Sequence, residues 1–315
     1  MLYNVRHVTR FHYSAPILEN VMEVRMQPRT DDLQQCLNFQ LYVRPSVRIF
    51  NYQDSLGNQV HHFNLPGLHA ELLIRAEALV KVATPPASQQ VLRDEDWRHI
   101  DEMPITQEIW EMRAPSRFTE PTHALALLAS ELDVARRHDP LTALQALNHA
   151  IYRSFEYAPK ATRVDSPIDE AIRQRRGVCQ DYTHIFLALV RNHLRIPCRY
   201  VSGYLYHRQD DQSDADATHA WAEVLLPAMG WVGFDPTNDL LAGERHIRVA
   251  VGRDYSDVPP THGIFKGAAE SVLSVSVHVR RVEDADPYEQ DETISEPLND
   301  PTPPAAYQAQ QQQQQ

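Results

Sequence analysis

Apolar and polar side chains alternate through much of the first 85 residues, the period of a half-buried β-strand. Tyr3-Asn4-Val5-Arg6-His7-Val8-Thr9-Arg10-Phe11-His12-Tyr13 partly follows that period, and residues 37–42 and 47–52 repeat the texture. Asp54-Ser55-Leu56-Gly57-Asn58 is turn chemistry, because Gly and Asn tolerate positive φ. Residues 59–65 follow it, so a hairpin is expected. Residues 72–82 close the block. Their Leu, Ala and Glu also suit a helix, and the surrounding strands decide for a strand.

Pro85-Pro86-Ala87-Ser88-Gln89-Gln90 reads as a linker. Beyond Pro121 the spacing turns helical. Residues 123–132 carry apolar side chains three and four apart, and Asp139-Pro140 opens a second helix with Leu141, Leu144, Leu147 and Ile151 on one face. Ser166-Pro167-Ile168-Asp169-Glu170 predicts another start, with Ser as the cap and the acidic pair against the positive helix end. That short helix runs into Arg175-Arg176-Gly177, where Gly permits a sharp bend. A further helix from about Cys179 turns Tyr182, Phe186, Leu189 and Val190 to a core and ends near residues 194–197. Strand patterns follow at 198–206, 218–226 and 231–235, and residues 271–282 alternate cleanly as a late strand. The acidic stretch 209–216 reads as a solvated, mobile loop, close enough to His219 to overhang a cleft. From Glu283 the chain is rich in Pro, Asp, Glu and Gln, and buries too little apolar surface to order. The expected organisation is a β-rich N-terminal domain (1–85), a linker and helical connection (86–135), an α+β core with a late strand (136–282) and a disordered tail (283–315).

Charge and composition narrow the function classes. With 30 Lys+Arg against 42 Asp+Glu the formal net charge is −12, and no basic stripe stands out. Phosphate binding needs clustered cations, so a nucleic-acid partner is not expected. No run reaches the ~18 apolar residues of a membrane span, and residues 1–7 lack the basic-then-apolar order of a secretory signal. The three cysteines, Cys36, Cys179 and Cys198, close no disulfide framework and show no C-x-x-C zinc spacing. A soluble, reduced, cytoplasmic protein with no metal and no cofactor is the expectation.

Cys179, His219 and Asp235 stand apart as candidate chemistry. Cys179 follows a Gly bend at the first turn of a helix, where unpaired N–H groups and the helix dipole favour a thiolate. His219 begins one strand and Asp235 ends the next, the places of a base and of the carboxylate that orients it. If residues 226–230 form a five-residue loop, Leu225 faces Trp231 and Trp221 faces Asp235. Asp235 then lies diagonal to His219 on one sheet face, about 7–8 Å away between backbones. One residue of slip would turn it to the other face.

These residues, in context, resemble a family. Gly177-Val178-Cys179-Gln180-Asp181-Tyr182, Arg199-Tyr200-Val201-Ser202-Gly203-Tyr204, His219-Ala220-Trp221-Ala222-Glu223-Val224 and Trp231-Val232-Gly233-Phe234-Asp235-Pro236-Thr237 are similar to the bacterial transglutaminase-like cysteine proteases. The N-terminal block, with Asp54-Ser55-Leu56-Gly57-Asn58, resembles the β region that precedes the core in many bacterial members. The resemblance covers most of residues 1–280. It implies a papain-like α+β fold, Cys179 as nucleophile, His219 as general base and acid, and Asp235 orienting the imidazole. It further implies a thioester intermediate formed on a peptide, isopeptide or glutamine-carboxamide bond of a peptide or protein substrate, with water or an amine as acceptor. The Cys179 backbone N–H is the foremost oxyanion donor; Trp221, Tyr204 and Gln180 are further oxyanion or substrate-lining candidates. The calcium-binding features of animal transglutaminases are not apparent, so calcium dependence is not carried over.

Other reactive residues have plainer readings. Cys36 and Cys198 are structural thiols. His184 lies five residues beyond Cys179, about 140° around the helix, and packs away from it. His61-His62 send one ring to each sheet face. Glu223 is structural or solvent-facing, and Arg175-Arg176 suit a helix C-terminus. A silent scaffold that binds protein or peptide partners is the alternative to an enzyme, yet a scaffold has no physical need for a thiol opposite an imidazole and a carboxylate. Deleting residues 290–315 is expected to leave the melting temperature unaltered in a thermal scan, and a clear drop would show that the tail docks.

Overall fold

Two antiparallel sheets and a helical layer account for the described residues, 1–83 and 92–282, of this computed structural model. The linker at 85–90 and the tail from Glu283 lie outside them. In chain order, β1 (Leu2–Val24), β2 (Gln34–Arg44), β3 (Phe50–Gln53) and β4 (Gln59–Val82) come first. Helices α1 (Asp96–Asp101), α2 (Gln107–Arg113), α3 (His123–Glu131) and α4 (Pro140–Ser154) follow. The parallel pair β5 (Glu156–Tyr157) and β6 (Arg176–Gly177) flanks α5 (Ile168–Gln174), and α6 (Cys179–Leu189) comes next. The chain then forms β7 (Cys198–Leu205), β8 (His219–Leu226), β9 (Gly230–Asp235), β10 (Leu240–Leu241) and β11 (His246–Gly252), and ends in β12 (Thr261–Lys266) and β13 (Ser271–Val282). Among the described residues no helix is long and apolar enough to cross a membrane.

The first sheet runs β12-β1-β4-β2, with β13 also on β1 and β3 also on β4. Strand β1 shows how a pattern serves two neighbours. Tyr3, Val5, Phe11 and Tyr13 are buried on odd positions, then Asn20, Met22 and Val24 on even ones. Register breaks between His12 and Glu19 turn the strand over, because one extra residue exchanges the faces. Its first half pairs with β13 and its second with β12. The late strand 271–282 therefore completes the N-terminal sheet rather than the core with which its sequence position groups it. Alternation shows that a strand is half-buried but not which sheet takes it. Residues 72–82 are a strand because β4 lies between β1 and β2, where ladder bonds and burial outweigh helix propensity.

The second sheet has the order β10-β9-β8-β7-β11, and α6 packs on it. Every residue of α6 from Asp181 to Leu189 is buried, the polar Asp181, Thr183 and His184 among them. Helix starts follow local chemistry only in part. Asp139 caps α4, its carboxylate accepting from Thr142 N–H at 3.0 Å. Ser166 does not cap α5: its hydroxyl accepts from Arg163 N–H at 3.0 Å, and Pro167 occupies the cap position. The bend before Cys179 is also made differently from expectation. Arg175 takes the left-handed conformation (φ 54°), and Gly177 is needed because a Cβ there would lie 2.7 Å from Asp181 Oδ2.

Buried side-chain amides join the two sheets. Gln34 accepts from Arg248 N–H at 2.8 Å and donates to Arg248 C=O at 2.8 Å. Asn58, in the turn between β3 and β4, accepts from Val251 N–H (2.8 Å) and Arg29 (2.7 Å) and donates to Val251 C=O (2.9 Å) and Asp54 (3.0 Å). Each amide imitates a strand against the exposed edge of β11. Asn58→Ala leaves the buried Val251 N–H and C=O without partners, so urea unfolding is expected to show a loss of about 2–4 kcal/mol.

Candidate active site

Cys179 is the first residue of α6 and is half-buried. The entry to that helix is held by Asp181, whose Oδ2 accepts from Val178 N–H at 2.8 Å and from Thr162 Oγ1 at 2.6 Å. Burial pushes the Asp181 carboxyl up to about 6 despite these hydrogen bonds. The first-turn N–H groups of Cys179 and Gln180 have no acceptor within the helix. Gln180 lines the cleft beside Cys179, and its amide donates to Val164 C=O at 2.8 Å, tying down the chain before α5.

Leu225 lies opposite Trp231 and Ala222 opposite Phe234, the register that sets Trp221 against Asp235. The hairpin tip is Pro227-Ala228-Met229, with Ala228 (φ 58°) and Gly230 (φ 70°) left-handed. Strand β8 begins at His219 and β9 ends at Asp235, and the two side chains meet on one face: His219 Nε2 is 2.8 Å from Asp235 Oδ2. Oδ1 of the same carboxylate accepts from Thr237 N–H (3.0 Å) and Asn238 N–H (3.2 Å), and Asn238 Nδ2 donates to Oδ2 (3.0 Å). His219 Nδ1 has no hydrogen-bond partner among the described residues, and His219 lines the same cleft as Cys179.

Burial opposes the charged form of both partners. For His219 it is outweighed by attraction to Asp235, the hydrogen bond between them and the neighbouring thiol, which together hold the imidazole up to about 10. For Asp235 burial is outweighed by His219 and by the hydrogen bonds from both imidazoles, which hold the carboxyl well below the usual carboxylate range.

His246 is the second imidazole, and no motif in the sequence marked it. Its Nε2 is 3.2 Å from Asp235 Oδ2, while its Nδ1 accepts from Gly243 N–H at 3.2 Å. The ring proton therefore sits on Nε2 and points at Asp235. His219, Asp235 and His246 bring ligand-type atoms within 4.8 Å of one another. A metal-bound histidine normally donates its other ring N–H to an acceptor. His246 Nδ1 faces a donor instead, so this cluster fits hydrogen bonding and not metal ligation. Only the pairing of β11 with β7, His246 opposite Leu205, brings it here.

The cleft over Cys179 has a volume of about 110 Å³. Tyr157, Arg163, Tyr200, Ser202 and Asp214 line it from the core, and His7, Thr9 and Val275 from the first sheet. The N-terminal region is thus one wall of the site. Two further candidates sit elsewhere. Tyr204 turns its hydroxyl to Met26 C=O (3.2 Å) and His7 Nδ1 (3.1 Å), out of the cleft. Trp221 is fully buried against Val201 and Val251, and its ring backs His219 at 6.1 Å and meets His246 edge-on at 5.1 Å. Neither lines the cleft. The acidic loop is anchored rather than freely solvated. Asp211 pairs with Arg245 (2.7 Å), Gln212 N–H donates to Asn238 (2.8 Å), and Asp214 N–H donates to the Tyr157 hydroxyl (3.2 Å).

The remaining reactive groups are spent on structure. His184 stacks on Phe118 (4.8 Å) and accepts from Tyr255 N–H (3.2 Å), and burial pulls it down to about 3, so it is neutral. Burial pushes the Cys198 and Cys36 thiols up to about 11. Glu223 is buried between Arg199 (2.7 Å) and Arg248 (3.3 Å). Arg175 pairs with Glu131, and Arg176 with Glu156.

Comparison with known proteins matches this arrangement to a lineage. Residues 128–236 match the transglutaminase-like superfamily, and residues 3–81 match the bacterial transglutaminase-like N-terminal region. The chain belongs to the bacterial transglutaminase-like family. An uncharacterised protein of Mycobacterium leprae is 31% identical over 88% of this chain and 98% of its own. One from Mycobacterium tuberculosis is 32% identical over 88% and 92%. A solved structure from Cytophaga hutchinsonii, described as a candidate cysteine protease, shares the fold with a TM-score of 0.70 and 21% identity over 90% of this chain and 92% of its own. The transglutaminase-like match ends at residue 236, so it takes in Cys179, His219 and Asp235 and leaves out Asn238 and His246.

The sign of the His219 shift fixes a pH dependence. A histidine raised from 6.5 to about 10 by folding contributes stability that is complete below 6.5 and lost as pH rises through about 10. The difference in melting temperature between the native chain and His219→Gln is therefore expected to shrink steadily from pH 6.5 to pH 10. A constant difference would exclude the charged pair.

Proposed function

We propose that this bacterial transglutaminase-like protein is a thiol acyl-transfer enzyme. Cys179 is its nucleophile, His219 its general base and acid, and Asp235 the carboxylate that orients His219. The observation that carries the reading is a helix-tip thiol that shares one cleft with an imidazole held at Nε2 by a buried carboxylate. A scaffold gains nothing from that arrangement, since burying the pair costs free energy unless its charge is used or fully compensated.

The chemistry follows from the positions. With the proton on His219, Cys179 Sγ attacks an amide or γ-carboxamide carbonyl and forms a C–S bond. The oxygen takes up negative charge, and the Cys179 backbone N–H is placed to receive it; such a donor is worth about 3 kcal/mol. The C–N bond breaks as His219 gives its proton to the leaving amine, leaving a thioester. Water or a second amine then attacks the thioester, His219 takes the proton of that nucleophile, and the thiolate returns. Asp235 keeps Nε2 of the ring protonated and Nδ1 turned to sulfur throughout. The substrate is a peptide, isopeptide or glutamine side chain that threads between the core and the N-terminal sheet. Lining from both units, with His7 and Thr9 across from Cys179, supports an extended segment rather than a free small molecule.

Incubation with a glutamine-peptide library and a fluorescent amine tests the reading. Amine incorporation marks transamidation, ammonia release alone marks deamidation, and cleaved peptide marks hydrolysis. Cys179→Ala is expected to abolish every product with an unchanged melting temperature. Asp235→Asn is expected to cut turnover about a thousandfold or more. Iodoacetamide is expected to label Cys179 at about pH 6 faster than an ordinary thiol; equal rates, with no product in any assay, would overturn the proposal.

A further inference from the structure

Asp235 Oδ2 is shared by two imidazoles. His219 reaches it at 2.8 Å and His246 at 3.2 Å, and Asn238 Nδ2 adds a third donor at 3.0 Å. The two rings are not equivalent. His219 leaves its second nitrogen open on the side of the thiol, whereas His246 has both nitrogens committed, Nδ1 to Gly243 N–H and Nε2 to the carboxylate. His246 is buried, and its backbone is held by the pairing of β11 with β7.

We propose that His246 is a positioning residue acting through Asp235: a neutral imidazole whose Nε2–H shares Oδ2 with His219, so that the carboxylate holds the His219 ring without locking a proton onto it. The inference rests on the thiol-enzyme reading above. The proposed reaction makes opposite demands on His219. It must hold a proton while the thiolate attacks and surrender it to the leaving amine. A carboxylate serving His219 alone favours the first at the expense of the second. A second donor on the same oxygen draws off part of its charge. A donor that stays neutral does this without adding a competing positive charge, and burial keeps His246 below its ordinary value.

The groups facing His246 agree with that role. Asp235 comes from β9, His219 and Trp221 from β8, and Arg245 precedes it on its own segment. The Arg245 charge is taken up by Asp211 at 2.7 Å. On the far side His207 stands 6.4 Å from His219, ring to ring, and is itself held below its ordinary value by burial. Asp235 is thus the one anion that the two rings share.

Imidazole-labelled NMR of the full chain tests this directly. Wild-type His246 is expected as the neutral Nε2–H tautomer at neutral and alkaline pH. In His246→Phe the pH at which His219 deprotonates is expected to rise by about half a unit, a threefold gain in proton affinity. His246→Gln, whose amide N–H can replace the lost donor, is expected to restore most of the wild-type value. Iodoacetamide labelling of Cys179 at about pH 6 is expected to persist in both variants. An Nδ1–H tautomer of His246 would overturn the proposal, as would an unmoved His219 titration in folded His246→Phe. Should His246→Phe fail to fold, the wild-type tautomer and the His246→Gln titration decide. Slow labelling of wild-type Cys179 would count against the thiol chemistry instead, while the tautomer still reports on the Asp235 contact.

Discussion

Taking a carboxylate out of water costs several kcal/mol, and a protein recovers that only with close partners on every lone pair. Asp235 has no exposure and receives five hydrogen bonds: two from backbone N–H groups, one from Asn238 and two from imidazoles. This convergence requires the end of β9, the start of β8, the turn after β9 and the start of β11 to be in register together. Removing any one element leaves a buried anion short of partners, which is why the second sheet, rather than the helix, is the frame of the site. The helix supplies the sulfur, and the sheet decides where the sulfur must go.

The first sheet enters the same account from the other side of the cleft. Gln34 and Asn58 attach it to β11 through paired amide hydrogen bonds, and β11 begins with His246. The strand that positions the second imidazole is thus the strand to which the N-terminal region is fastened. Thr9 meets His7 at 3.2 Å, His7 meets Tyr204 at 3.1 Å, and Tyr204 donates to Met26, so a buried polar chain runs from the cleft wall into the core. The N-terminal sheet is therefore part of the site in the structural sense. Strand β1 is covered on its outer side by residues 261–266 and 271–282, which return from the far end of the core.

Much of this was legible in local pattern. Alternation gave the strands, Asp139 marked a helix start, and the turn chemistry at 54–58 stands where a hairpin forms. The register of β8 against β9 followed from requiring His219 and Asp235 on one face. Other features were illegible for identifiable reasons. Ser166 has the right chemistry for a cap, but its hydroxyl finds Arg163 N–H first. Tyr204 and Trp221 stand in the right motifs for cleft residues and share strand faces with Ser202 and His219, but each lies one step further along its strand, where Tyr204 bonds Met26 and Trp221 packs on Val201 and Val251. His246 carries no motif because its role depends on a neighbour eleven residues away across a sheet.

What the sequence determined by itself was therefore local: the period of each element, the helix that begins at Cys179, and the order of thiol, imidazole and carboxylate along the chain. These are set by interactions between residues a few positions apart, and side-chain chemistry is enough to read them. Tertiary structure alone decided which sheet takes the last strand, which face of each strand meets the cleft, and that a second imidazole shares Asp235. The reason is physical: strand pairing and burial bring together residues tens to hundreds of positions apart, and nothing in their own neighbourhoods distinguishes one partner from another.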